Sequence, residues 1–310
     1  MVQFLWQLPR YVAHVALAKA RLAPSLALSL VGAVGAACSV APVDYGTEAD
    51  AGSSTHALIT VERSSLLNSL EAPRAAAFAG FVRTPPDVDA NAMLRLAGFG
   101  LDLPAVGQCA EPNREPGSCM PLNPLGRVEF LDAGDVTLRT STTNVPLATR
   151  ALPAVTDLIA GVVYTTRDRA ADPLPAATTY TLTASGGLLH AFNVNTSAPA
   201  QLSSVNVGST PLAELTSVAV QSALTLTWQP GVSRDFVYVE LATQDGSATT
   251  RCTFRDDAGA GTVPASAFVG TGLGELSLHR VHSEQFASGS VDAGEVRFDF
   301  EQSANVEFTN

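Results

Sequence analysis

The stretch RDFVYVELATQDGSATTRCTF, residues 234–254, alternates with a period of two. Phe236, Tyr238 and Glu240 fall on one side, and Val237, Val239 and Leu241 on the other. That pattern is a strand with its aliphatic side toward a core. Gly and Asp interrupt the run, and alternation resumes. Thr250, Cys252 and Phe254 share one face, while Arg251, Thr253 and Arg255 share the other. The arginines face water, which makes Cys252 a buried small hydrophobe.

Working outward, the same texture recurs in HALITVER (56–63), GRVEFLDAGDVTLRTST (126–142), IAGVVYTTRD (159–168), TTYTLTASGG (178–187) and HAFNVNTSAP (190–199). It returns in SALTLTWQPG (222–231), GELSLHRVHSEQF (274–286) and GEVRFDFEQSANVEFTN (294–310). Each is rich in β-branched residues and bounded by Gly, Pro, Asn or Asp. Many short strands separated by turn signals predict an all-β sandwich fold and argue against a parallel sheet with crossover helices. Two short helices compete locally. SSLLNSLEAPRAAAFAGF (64–81) opens on Ser but is broken by Pro73, and DVDANAMLRLAG (87–98) has Asp89 as an N-cap and Gly98 as a stop.

Residues 1–37 contain Arg10, Lys19 and Arg21 and no acid, followed by the apolar run APSLALSLVGAVGAAC (23–38). This is the layout of a secretory signal peptide. Ala36-Ala37-Cys38 resembles the end of a bacterial lipoprotein signal, in which the cysteine is lipidated and becomes the new N-terminus. Gly35 stands where such signals usually carry Leu. The competing reading is an uncleaved membrane helix over the charge-free residues 22–42. Ser39 after the cysteine, in place of Asp, favours the outer membrane. VDYGTEADAGSSTH (43–56) reads as a flexible tether.

The expected organisation is therefore a signal peptide (1–37), a lipidated N-terminus and tether (38–56), and two antiparallel β-sandwich domains (57–203 and 204–310). The boundary falls near TSAPAQLSSVNVGSTPL (196–212), and the C-terminal part has the size of an immunoglobulin-like sandwich with Trp228 at its centre. Three of the 18 basic residues and none of the 29 acidic ones precede Cys38, so residues 38–310 carry 15 bases, 29 acids and a formal charge of −14. Such a surface repels polyphosphates and excludes nucleic acid as a partner.

Cys109 and Cys119 bracket AEPNREPGS, and in an oxidising compartment they read as a disulfide closing a short loop. No His or Cys pair lies nearby to make them zinc ligands. Asp87, Asp89 and Asn91 in DVDAN alternate like the opening of a calcium loop. Ala92 and Gly98 occupy the places where an EF-hand needs Gly and Glu, so any calcium site here is of another kind. His279 and His282 lie three apart on a strand and point to opposite faces; they read as solvated and not as joint ligands. His190 reads as a lone strand histidine. The carboxylate pairs Asp132/Asp135, Asp256/Asp257 and Asp292/Glu295 sit in Gly-bearing segments, where Asp serves the backbone of a turn. LDAGDVTL (131–138) and VDAGEVRF (291–298) repeat one motif and predict two such turns. Neither a Gly-x-Ser-x-Gly elbow nor a His-Glu-x-x-His motif is present.

The set AFAGFVRTPPDVDANAMLRLAG (77–98), LPAVGQC (103–109), LDAGDVTL, YTLTASGG (180–187), LTLTWQPG (224–231) and CTFRDDAGAGTVPASAF (252–268) resembles secreted lipoproteins of myxobacteria and their relatives. A similar module ends some exported acidobacterial proteins. The resemblance implies an exported β-sandwich and carries over no catalytic residue. The expected role is a lipid-anchored cell-envelope protein that binds or builds without chemistry of its own and without a cofactor. The membrane would be held through the lipid, and a protein or glycan would be met at the surface. The alternatives are a calcium- or glycan-binding adhesin-like module, and a hydrolase whose site is assembled from scattered residues.

Overall fold

Val237, Val239 and Leu241 are buried together, as the period-two pattern of residues 234–254 predicts. The computed structural model describes residues 52–86, 89–90, 94, 100–112, 128–155, 159–166, 174–244, 246, 248–268 and 270–310. Cys38, Asp87, Asn91 and Cys119 lie outside these residues, and so do the leader and most of the tether.

The strands in chain order are β1 (Ser54–Leu66), β2 (Arg74–Thr84), β3 (Cys109–Ala110), β4 (Val128–Phe130), β5 (Val136–Arg139), β6 (Asn144–Val155), β7 (Ile159–Thr165), β8 (Thr179–Ala184) and β9 (Phe192–Ser197). They continue with β10 (Asn206–Val207), β11 (Thr210–Pro211), β12 (Ser217–Ala219), β13 (Leu224–Thr227), β14 (Phe236–Thr243), β15 (Thr249–Arg255), β16 (Ala260–Val263), β17 (Gly272–Ser288) and β18 (Val291–Thr309). The fold is all-β, as the alternation predicts. The larger sheet runs β3-β15-β14-β17-β18-β1-β2-β4-β7-β6-β5-β8-β9, with β12 also on β18, and the smaller runs β11-β10-β13-β16. A sheet this long curls. Its last strand, β9, packs back on β17, where Thr196 Oγ1 donates to Glu284 Oε2 at 2.6 Å. Most ladders are antiparallel, but β1 and β12 pair with β18 in parallel, and β4 pairs with β7 in parallel.

Two large apolar cores and a smaller cluster around Phe130 lie along this sheet. The first collects Ile59, Val61, Phe81, Tyr164, Tyr180, Leu182, Phe298 and Phe300; the second collects Leu202, Leu226, Trp228, Val237, Val239, Leu276, Leu278, Val306 and Phe308. Strand β18 threads both, with Val296, Phe298 and Phe300 in the first and Ala304, Val306 and Phe308 in the second. Residues 48–310 cluster as one compact unit. Trp228 fills the second core and is 4% exposed.

The first weak helix is overturned. Residues 54–66 and 74–84 are strands, and Ala75, Ala77, Ala79 and Phe81 of β2 face the first core while Phe78 and Val82 pack with Leu58 and Phe130. Alanine favours helix by only a few tenths of a kcal/mol per residue. An eleven-residue ladder with β1, buried on both faces, outweighs that. Ala90 and Leu94, from the second candidate, are helical and join the cluster around Phe130. Asp89 just ahead of them is exposed.

The Asp-Ala-Gly turn forms as expected in its first copy only. Asp132 Oδ1 accepts from Gly134 N–H at 2.8 Å, and Gly134 has φ +75°. Tyr164 O–H donates to the same carboxylate at 2.7 Å and accepts from Ala133 N–H at 2.8 Å. The turn then locks onto the Ser-Gly-Gly corner after β8, with Gly186 N–H donating to Ala133 O at 3.0 Å and Leu188 N–H to Asp132 O at 2.7 Å. A Cβ on Gly134 would collide with Gly186 O. Gly134→Ala is therefore expected to cost about 3 kcal/mol, and Gly208→Ala, at φ +60° in open space, about 1 kcal/mol. Urea unfolding of both variants checks the difference. The second copy is not a turn: residues 291–298 run inside β18, and the bend before them is at Gly289, φ +61°. Its Asp292 accepts from Thr55 N–H across the parallel β1–β18 boundary at 2.8 Å, and Glu295 pairs with Arg297 at 2.8 Å.

The disulfide also differs from expectation. Cys109 bonds to Cys252, not to Cys119. The two cysteines are register partners in the β3–β15 ladder at the sheet edge. Proximity along the chain favoured Cys119; the fold instead pairs Cys109 with a residue 143 positions away. Cys252 is fully buried as predicted, but as half of a bridge and not as a free thiol.

Candidate functional site: the polar face of β14, β17 and β18

Alternation along β17 separates two sets of polar side chains. Ser277 and His279 point to one face; Arg280 and His282 point to the other, the side of Leu276 and Leu278. His279 and His282 thus face opposite ways as their spacing requires, yet neither is solvated. His279 Nδ1 lies 2.9 Å from Asp299 Oδ1, and His282 Nδ1 lies 2.7 Å from Asp235 Oδ1. Burial without a partner would be costly for an imidazole, and each has found a carboxylate.

On the first face the contacts form a chain. Ser277 Oγ is 2.9 Å from His279 Nε2, and Asp299 holds the other ring nitrogen. Tyr238 of β14 stacks on the His279 ring at 4.1 Å between centroids and donates its O–H to Asp299 Oδ2 at 2.8 Å. Arg251 of β15 lies over the other part of this group, 5.7 Å from the Tyr238 ring centroid, and its Nε donates to Glu240 Oε2 at 2.6 Å. Glu301 of β18 is the register partner of His279.

The electrostatics follow from crowding. Burial pushes the Glu301 carboxyl up to about 7; His279 opposes that rise, and Glu275, Asp299 and Glu240 add to it. Burial works against a charged His279, but Asp299, Glu301 and Glu240 prevail and hold its pKa above the ordinary value. Tyr238 is held well above the usual phenol range by burial and by Asp299.

On the second face Arg280 reaches Asp256. Nε lies 2.8 Å from Oδ2, and an Nη donates to Oδ1 at 2.9 Å. Both side chains are buried, at 3% and 0% exposure. Trp228 Nε1 donates to Asp256 Oδ1 at 3.0 Å. Arg280 also donates to the carbonyls of Ala200 at 3.0 Å and Gln229 at 2.6 Å. Asp256 is therefore not a turn residue serving its own backbone. Its neighbour Asp257 is exposed and pairs with Arg255 at 2.7 Å, which holds its carboxyl below the usual range. His190 is exposed and lies in the loop between β8 and β9, not on a strand as expected.

Ser277, His279 and Asp299 stand in the order nucleophile, base, orienting carboxylate. Acyl transfer needs in addition free N–H donors aimed at the developing oxyanion. Residues 277–279 run between β14 and β18, where backbone N–H groups are engaged in ladders on both sides. A shallow recess with room for about 10 Å³ lies elsewhere, lined by Leu241, Ala242, Thr243, Phe268, Gly270 and Phe308, with no titratable side chain. Among the described residues no group of three His, Cys, Asp or Glu is arranged to hold a metal ion.

No family model and no curated protein matches the chain. Among solved structures it is similar to the Fcho1 Mu homology domain of Danio rerio with bound Eps15 peptide, at 9% identity over 82% of this chain and 97% of that one, with a TM-score of 0.26. A likeness at that level carries no argument about what this chain does.

Of the network, the sequence pointed to His279 and to the two faces of β17. It gave no sign of Asp299, Tyr238, Glu301, Arg280 or Asp235 as partners. One local signal was readable: Ser-x-His on a strand puts both side chains on one face.

Proposed function

We propose that this chain is a lipid-anchored cell-envelope protein whose role is binding or structural and not enzymatic. The leader, Cys38 and the tether support the anchor, and the acidic balance after Cys38 supports a role away from nucleic acid. One observation carries the non-enzymatic half. Ser277 and His279 pair at 2.9 Å with the imidazole stacked on the Tyr238 ring, in a strand whose N–H groups are already bonded in ladders on both sides. A hydroxyl so held lacks the oxyanion donors that acylation requires.

Exposure to a fluorophosphonate probe is expected to leave the protein unlabelled at Ser277, and simple acyl esters are expected to persist. Labelling that disappears in Ser277→Ala would overturn this reading in favour of a hydrolase. The anchor is tested separately by the intact mass of the protein expressed in a bacterium with lipoprotein processing. A mature chain starting at a diacylglyceryl-modified Cys38 is expected, and it should partition into detergent. Cys38→Ser should abolish both. An unmodified Cys38 in an unprocessed chain would remove the anchor.

A further inference from the structure

We propose that the Ser277–His279–Asp299–Glu301 network is an acid-stabilised latch, holding β14, β17 and β18 together at low pH and loosening as the pH rises toward 8. The geometry is a crowd of carboxylates on one sheet face with too few cations. Asp299 and Glu301 are two apart on β18 and share that face. Glu275 comes from the same face of β17 and Glu240 from β14. The facing cations are His279 and Arg251, and Arg251 is already committed to Glu240 at 2.6 Å. On β1, Ser64 lies opposite Glu301, and Glu62 lies opposite Asp299. Arg297, further along β18, is held by Glu295. Tyr238 adds a neutral donor to Asp299.

A proton kept on Glu301 and another on His279 limits the repulsion. Both pKa values are raised, so both protons stabilise the folded state in the same direction. For Glu301 the stabilisation is complete below the ordinary 4.5 and is lost as the pH rises to about 7. For His279 it is complete below 6.5 and is lost as the pH passes its higher folded value. Losing the Glu301 proton adds a negative charge, and losing the His279 proton removes a positive one, on a face that Asp299, Glu240 and Glu275 already make negative.

The test is thermal unfolding from pH 4.5 to 8.5. The Tm of the wild-type protein is expected to fall by about 5 °C between pH 5 and 8. Glu301→Gln removes most of the fall below pH 7, and His279→Gln removes the remainder above pH 6.5. Glu307→Gln, at an exposed position of the same strand, leaves the slope unchanged and controls for general repulsion in an acidic chain. A wild-type Tm that is flat or rises over this window, or a Glu301→Gln variant with the full slope, overturns the latch. Carboxyl ¹³C titration of Glu301 in the wild-type protein decides the matter without a variant: a midpoint near 7 supports the latch, and one near 4.5 sinks it.

Discussion

Replacing Arg280 with methionine is expected to lower the unfolding free energy by about 3–5 kcal/mol. The guanidinium is 3% exposed and faces the fully buried Asp256 through two contacts, at 2.8 and 2.9 Å. It also caps the carbonyls of Ala200, Gln201 and Gln229, so one side chain ties three separate segments to β17. Methionine fills much of the volume but leaves the Asp256 carboxylate buried without its guanidinium, still accepting from the Trp228 N–H. An uncompensated buried charge costs far more than the intact pair contributes, since the pair's mutual attraction mostly offsets desolvation. The double variant Arg280→Met, Asp256→Leu is thus expected to recover most of the loss. Guanidinium unfolding of the two single variants and the double measures the coupling. Single variants within 1 kcal/mol of wild type would show that the buried pair does not form.

Removing the disulfide is the second large effect. Bridging residues 143 apart restricts the unfolded chain, and the chain-entropy model gives about 5 kcal/mol for a loop of this length. Cys109→Ser, Cys252→Ser together are expected to lower Tm by about 10 °C, with β3 freed from the sheet edge it now covers. Cys119→Ser is expected to leave Tm nearly unchanged. Peptide mapping without reduction gives the direct result: a peptide containing Cys252 cross-linked to one containing Cys109. A map linking Cys109 to Cys119 would refute the pairing.

These two effects also mark where reading along the chain stops working. Cys252 was legible as buried, because its neighbours Arg251 and Thr253 must take the other face. Its partner was not, because β3 is two residues long and its place beside β15 depends on the whole sheet. Asp256 looked like a turn residue, since Asp-Asp-Ala-Gly is turn chemistry and Gly259 does take the left-handed conformation at φ +62°. Only the packed fold brings Arg280 from 24 positions away to its carboxylate. The alanine-rich β2 was misread for the same reason, since its long ladder with β1 exists only in the assembled sheet. Of the two Asp-Ala-Gly copies, the local rule described the one that sits at a corner and failed for the one that a parallel strand straightens.

What the sequence determined alone is whatever repeats every two residues: most of the longer strands, the side each of their residues faces, the burial of Val237, Val239 and Leu241, and the separation of His279 from His282. Side-chain direction in a strand is set by the backbone itself, so no distant contact is needed to know it. The tertiary structure decided everything that joins one strand to another. It placed β1 in parallel on β18, linked Cys109 to Cys252, and set Asp299 against His279 and Asp256 against Arg280. Register between strands distant in the chain is chosen by the total burial of the sheet, and no short window of residues contains that sum.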